Sequence, residues 1–126
     1  MTVVRAVLDL VPGEPVMYFG DTARAPYGPR DVEEIRAFAR EIAAFLLDRD
    51  VKMLVVACNA IESNAIEDLS ERANVPLVGV IEPGVRAALR TTRNGRVGVI
   101  GTEATIGSGA YPRARSEEHT SELQSR

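Results

Sequence analysis

Two short apolar runs, M-L-V-V-A at residues 53–57 and P-L-V-G-V-I at residues 76–81, constrain this chain more than any other feature. The first is an uninterrupted apolar run, which is what a strand buried on both faces of a parallel sheet requires; the second reads as a further strand of the same kind of sheet. Parallel strands need a crossover connection, usually a helix, and the segments around the runs have helical patterns. Asp31 with Glu34 three residues on is a capping-box-like pair. Ile35, Phe38, Ile42, Phe45 and Leu46 then form one stripe that ends near Asp48. A helix is expected after Cys58, with Ile61, Ala65, Ile66 and Leu69 inward. Another opens at Glu82-Pro83-Gly84, with Pro83 in its first turn, and runs to about Thr91. A further helix starts within residues 101–105. Val4, Val7, Leu8 and Val11 predict a helix at the start of the chain, which Pro12-Gly13 ends. P-V-M-Y-F at 15–19 and R-V-G-V-I at 96–100, after an Asn94-Gly95 turn, read as two more strands. Strands alternating with helices predict an α/β fold, a three-layer parallel sheet flanked by helices.

The chain has 126 residues, which suits one domain. Its formal net charge is −3, a poor match to nucleic-acid binding. No apolar run approaches the roughly 18 residues of a membrane helix. The opening lacks a signal-peptide pattern, so the cytoplasm is the expected location. Cys58 is the single cysteine and His119 the single histidine. That excludes an internal disulfide and the usual zinc sites, and no metal ligand set is expected.

Residues 115–126 differ from everything before them. They are polar, contain one apolar residue, Leu123, and hold His119. The run R-S-E-E-H-T-S-E-L-Q-S, residues 115–125, resembles the in-frame translation of a common sequencing adapter. The expectation is therefore an artefactual, disordered tail at 115–126 and a partial domain over 1–114 that contains no histidine.

In open parallel sheets a ligand binds beyond the carboxyl ends of the strands. That rule groups residues 20–28, 58–60, 82–84 and 101–105. Cys58 lies where a strand ends and a helix begins, where N–H groups and the macrodipole favour a thiolate; the alternative is an inert buried thiol. Asn59 can bind a polar ligand or cap the helix. Pro26-Tyr27-Gly28 is either a plain turn or a binding loop, in which Gly28 allows close approach and Tyr27 supplies a hydroxyl and a ring wall. Asp21 can orient a polar neighbour or be an ordinary loop aspartate. Thr102 and Thr105 can cap a helix or contact a ligand. Glu82 can be a buried acid or a helix-terminal charge, and Arg24 a carboxylate partner or a surface residue. There is no G-x-G-x-x-G fingerprint and no P-loop.

The order of these segments is informative. F-G-D-T-A-R-A-P-Y-G-P-R at 19–30, V-V-A-C-N at 55–59, V-I-E-P-G at 80–84 and V-I-G-T-E-A-T-I at 99–106 resemble the glutamate racemases of the aspartate/glutamate racemase superfamily. So does the opening T-V-V-R-A-V, and the resemblance covers essentially all of residues 2–114. It implies a cofactor-independent enzyme that interconverts L- and D-glutamate for peptidoglycan, with two similar α/β domains and one cysteine from each. One thiolate removes the Cα proton and the other thiol delivers a proton to the opposite face. Carried over by position, Cys58 matches the first-domain acid/base. Tyr27, Gly28, Asn59 and Ala60 match substrate-binding positions. Asp21, Thr102 and Thr105 match supporting ones. The implied partner is glutamate, with no nucleic acid or membrane, and a homodimer is the assembly suggested for the full-length protein.

Three departures accompany the resemblance. Ala60 stands where the family has threonine or serine. The family's opening strand and D-S-G loop are missing, which would leave strand edges unpaired. The second cysteine, with its following T-H, is also missing, so this chain alone is expected to be inactive. A non-catalytic module binding a small anion and a related amino-acid racemase of other specificity remain alternatives. A thiol-redox domain fits less well, without C-x-x-C.

Overall fold

The computed structural model describes residues 1–124. Its elements run α1 (Thr2–Leu10), α2 (Val32–Leu47), β1 (Leu54–Val55), α3 (Asn59–Arg72), β2 (Leu77–Val78), α4 (Ile81–Thr91), α5 (Glu103–Gly107) and α6 (Ala110–Gln124). The fold is α/β. β1 and β2 pair in parallel, Leu54 opposite Leu77 and Val55 opposite Val78, with α3 as the crossover. Leu54 N–H donates to Pro76 O at 3.0 Å and Val56 N–H to Val78 O at 2.8 Å.

The expected strands at 15–19 and 96–100 are not strands. Among the described residues the sheet has two strands, and both segments are extended coil. A strand exists only where a neighbour offers N–H and C=O groups at ladder spacing, and no such neighbour reaches these segments. Their apolar side chains stay open to solvent: Val16, Met17, Tyr18, Phe19, Val97, Val99 and Ile100 are all exposed.

The helices follow the sequence more closely. Asp31 caps α2, its Oδ1 accepting from Glu33 N–H at 2.9 Å and Glu34 N–H at 3.4 Å. Glu34 does not complete a capping box but pairs with Arg30. The buried face of α2 is Ile35, Ala39 and Ala43 rather than the larger stripe that includes Phe45. Small residues win there because α3 packs against this face with Ala65 and Leu69, and Ala39, Ala43, Leu54, Ala65 and Leu69 form one core cluster. Phe45 stays exposed, edge-on to Phe19 with ring centroids 5.3 Å apart.

α3 and α4 are joined by a buried carboxylate. Glu62 accepts from Val80 N–H at 2.6 Å and from Ile81 N–H at 3.0 Å, which supplies the cap that α4 lacks locally. Gly79 makes room for it, since a Cβ there would overlap the Glu62 carboxylate.

Residues 115–124 fall within α6, and residues 125–126 lie outside the described residues. Two contacts tie this helix to α4. Ala114 packs with Ile81 and Val85 of α4, and Arg86 pairs with Glu118 at 2.9 Å. The Arg86 guanidinium holds the Glu118 carboxyl below its ordinary pKa. No helix among the described residues is long and apolar enough to cross a membrane.

Candidate active site

Beyond the carboxyl end of β1 the chain passes directly into α3, and Cys58 is the N-cap residue of that helix. No side chain caps α3, so its first-turn N–H groups point outward, an arrangement that suits a carboxylate or phosphate. Cys58 is half-buried and lines a cavity of about 340 Å³.

Segments remote in sequence converge on this cavity. Tyr27, Gly28, Cys58, Asn59, Ala60, Thr102 and Thr105 all line it. Gly28 is buried against Thr102, and a Cβ there would collide with the threonine side chain. Gly28 O also accepts from Ala104 N–H at 3.3 Å, which pins the 26–28 loop to the start of α5. The Thr102 and Thr105 hydroxyls are hydrogen-bonded to each other at 3.1 Å. Ala60 packs with Tyr27 and Ile35 in a small apolar cluster, so it gives the cavity a methyl wall and no hydroxyl.

Asp21 does not line the cavity. The Tyr27 hydroxyl donates to Asp21 Oδ2, and Arg24 Nε donates to the same oxygen at 2.6 Å. The hydrogen bond from Tyr27, supported by Arg24, holds the Asp21 carboxyl below the usual carboxylate range. Burial first, and then Asp21, push the Tyr27 pKa well up. Tyr27 is therefore a neutral hydroxyl whose proton is committed to Asp21. Arg24 also reaches Glu41 at 2.6 Å and stacks over Phe38, 4.2 Å from the ring centroid, so it is not free to bind a ligand carboxylate. Glu82 is exposed and paired with Arg86 at 2.6 Å, so it is a surface charge rather than a buried acid.

Sequence reasoning missed Tyr111. It lies on the first turn of α6, lines the cavity, and donates from its hydroxyl to Asn59 Oδ1 at 3.2 Å. Gly109, with φ of 69°, turns the chain between α5 and α6 and brings it there. The run S-G-A-Y at 108–111 was the available signal. Ile100 and Gly101 also line the cavity, from a segment read as a strand and its end.

An α/β chain with a thiol at a helix N-terminus, lining a small cavity at the strand ends that also holds several polar side chains, defines a class of small-molecule binding or acid–base proteins. The chain belongs to the Asp/Glu/Hydantoin racemase family, whose model matches residues 1–124. It is 54% identical over 114 residues to a glutamate racemase of Listeria monocytogenes, covering 90% of this chain and 43% of that protein. The solved structure of a glutamate racemase from Aquifex pyrophilus superposes with a TM-score of 0.88 at 47% identity, over 92% of this chain and 46% of the other. The Thermus thermophilus glutamate racemase, solved in complex with β-chloro-D-alanine, gives a TM-score of 0.80 at 54% identity, over 90% and 43%. The chain thus spans less than half the length of these relatives.

Proposed function

We propose that this chain supplies one face of a cofactor-independent glutamate racemase site, with Cys58 as the acid/base for that face. The observation that carries the reading is the half-buried thiol at the α3 N-terminus, opening on a cavity shared with Tyr27, Asn59 and the Thr102–Thr105 pair. As Cys58 Sγ takes the Cα proton, an S–H bond forms and the Cα–H bond breaks. The electron pair moves toward the α-carboxylate. Donors fixed around that carboxylate stabilise the charge as it develops; the Asn59 carboxamide, the threonine hydroxyls and the α3 N–H groups are the candidates. Inversion needs a second thiol that protonates the opposite face, because one fixed base does not serve both faces of a carbon. Cys58 is the chain's only cysteine, so that thiol belongs to residues outside this chain. The product is D-glutamate, a peptidoglycan precursor. A cytoplasmic location and a homodimer of the full-length protein belong to the same reading.

The test is proton NMR in D2O with L- and D-glutamate. This chain alone exchanges the α-proton of one enantiomer with retention and does not racemise it. A general base contributes about 10²–10⁴-fold, so Cys58→Ala abolishes the exchange. Racemisation that persists in Cys58→Ala defeats the assignment. Glutamate binding without exchange, unaffected by Cys58→Ala, favours the anion-binding module instead.

A further inference from the structure

Asn59 is the first residue of α3 and is exposed at the cavity. A carboxamide there swings about two torsions, and an unheld side chain must be ordered each time a ligand binds, at a cost in affinity. In this chain the side chain is held. The Tyr111 hydroxyl donates to Asn59 Oδ1 at 3.2 Å from a helix 52 positions away in sequence. Tyr111 is itself fixed from behind. It packs with Ala110 and Leu89 around the Ile81–Val85–Ala114 cluster that seats α6 on α4. Arg86 and Glu118 close the same helix pair on its polar side.

We propose that Tyr111 is a positioning residue of the cavity: it holds the Asn59 carboxamide in the orientation that binds the ligand, and so couples the seating of α6 on α4 to ligand affinity. That glutamate is the ligand rests on the reading given above. With Oδ1 engaged by Tyr111, the Asn59 amide nitrogen keeps both its protons for a ligand oxygen. Asn59 then works beside the uncapped first turn of α3 as part of one donor cluster suited to a carboxylate.

The experiment is a double-mutant cycle on the whole chain, with glutamate affinity measured by calorimetry and the Asn59 side-chain amide followed by nitrogen–proton NMR. Tyr111→Phe keeps the ring and its packing and removes one hydrogen bond. It is expected to weaken glutamate binding by about three- to ten-fold and to shift the Asn59 amide pair, leaving the backbone spectrum elsewhere unchanged. In an Asn59→Ala background the same substitution is expected to change affinity less than two-fold. A merely structural role for Tyr111 gives equal losses in both backgrounds, and that result overturns the proposal. Unchanged Asn59 amide signals in Tyr111→Phe overturn it as well. If the parent chain binds no glutamate while the Asn59 amide signals still shift in Tyr111→Phe, the positioning role stands and the glutamate reading falls.

Discussion

Glu62 carries a carboxylate into a site where an ion is costly unless every oxygen is satisfied. Here both oxygens accept from backbone N–H groups at the start of α4. Glu62→Ala strands two donors, Val80 N–H and Ile81 N–H, and is expected to cost about 1–3 kcal/mol, read as a lower urea midpoint. Gly79→Ala drives a methyl into the same carboxylate and is expected to destabilise comparably. Because both changes break one contact, the double variant is expected to fall well short of the sum; full additivity would show that the contact is not shared. Asp21 sets a pH dependence. Its folded pKa is lowered by the Tyr27 hydroxyl and then by Arg24. A depressed carboxylate stabilises the fold above its unfolded value, near pH 3.9, and that contribution disappears as pH falls through the folded value. The melting temperature of Asp21→Asn is therefore expected to lie below that of the parent chain at pH 7. The two are expected to converge below about pH 4.

At the scale of elements, one residue fixes where α2 begins. Asp31→Ala removes the acceptor for two N–H groups and is expected to cost about 1 kcal/mol, seen as lost helical ellipticity and a lower melting temperature. The α2–α3 contact depends on alanine. Ala65 is 1% exposed between the two helices, so Ala65→Leu is expected to cost about 1–3 kcal/mol by overpacking. These helices were legible because caps and stripes are local. Asp31, Pro12-Gly13 and Pro83 each mark an element end within a few residues. The two missing strands were not legible, because β-branched runs report a wish to be buried and say nothing of which neighbour supplies the ladder. Three of the site's segments, within 20–28, 58–60 and 101–105, could be grouped by the rule for strand ends; 82–84, grouped with them, does not line the cavity. Tyr111 could not, because its tie to Asn59 spans 52 positions and depends on the turn at Gly109. Nor could the role of Asp21, whose two hydrogen bonds depend on how the 20–30 loop folds back on itself.

The whole molecule exposes more surface than its mass requires. Its accessible area is 8886 Å², whereas a compact monomer of its 13.6 kDa exposes about 6600 Å². The excess, roughly 2300 Å², exceeds the roughly 800 Å² that each partner contributes to a standard interface. Much of what is open is apolar. Val16, Met17, Tyr18 and Phe19 lie on one extended segment, Val97, Val99 and Ile100 on another, and Met53, Val55 and Val78 on or beside the two strands. A two-stranded sheet also leaves an unpaired backbone edge on each side, and open edges flanked by apolar side chains recruit further chain. The chain is therefore expected to self-associate at micromolar concentration, with a sedimentation coefficient that rises with loading and with bound hydrophobic dye. Val97 and Val16 are exposed and lie outside the cavity, so Val97→Lys is expected to shift the distribution toward monomer, more so when combined with Val16→Lys. A monodisperse monomer that binds no dye would mean that these segments bury themselves in solution. Hydrogen exchange would then show protection at residues 15–19 and 96–100, where the fold described here leaves the amides open.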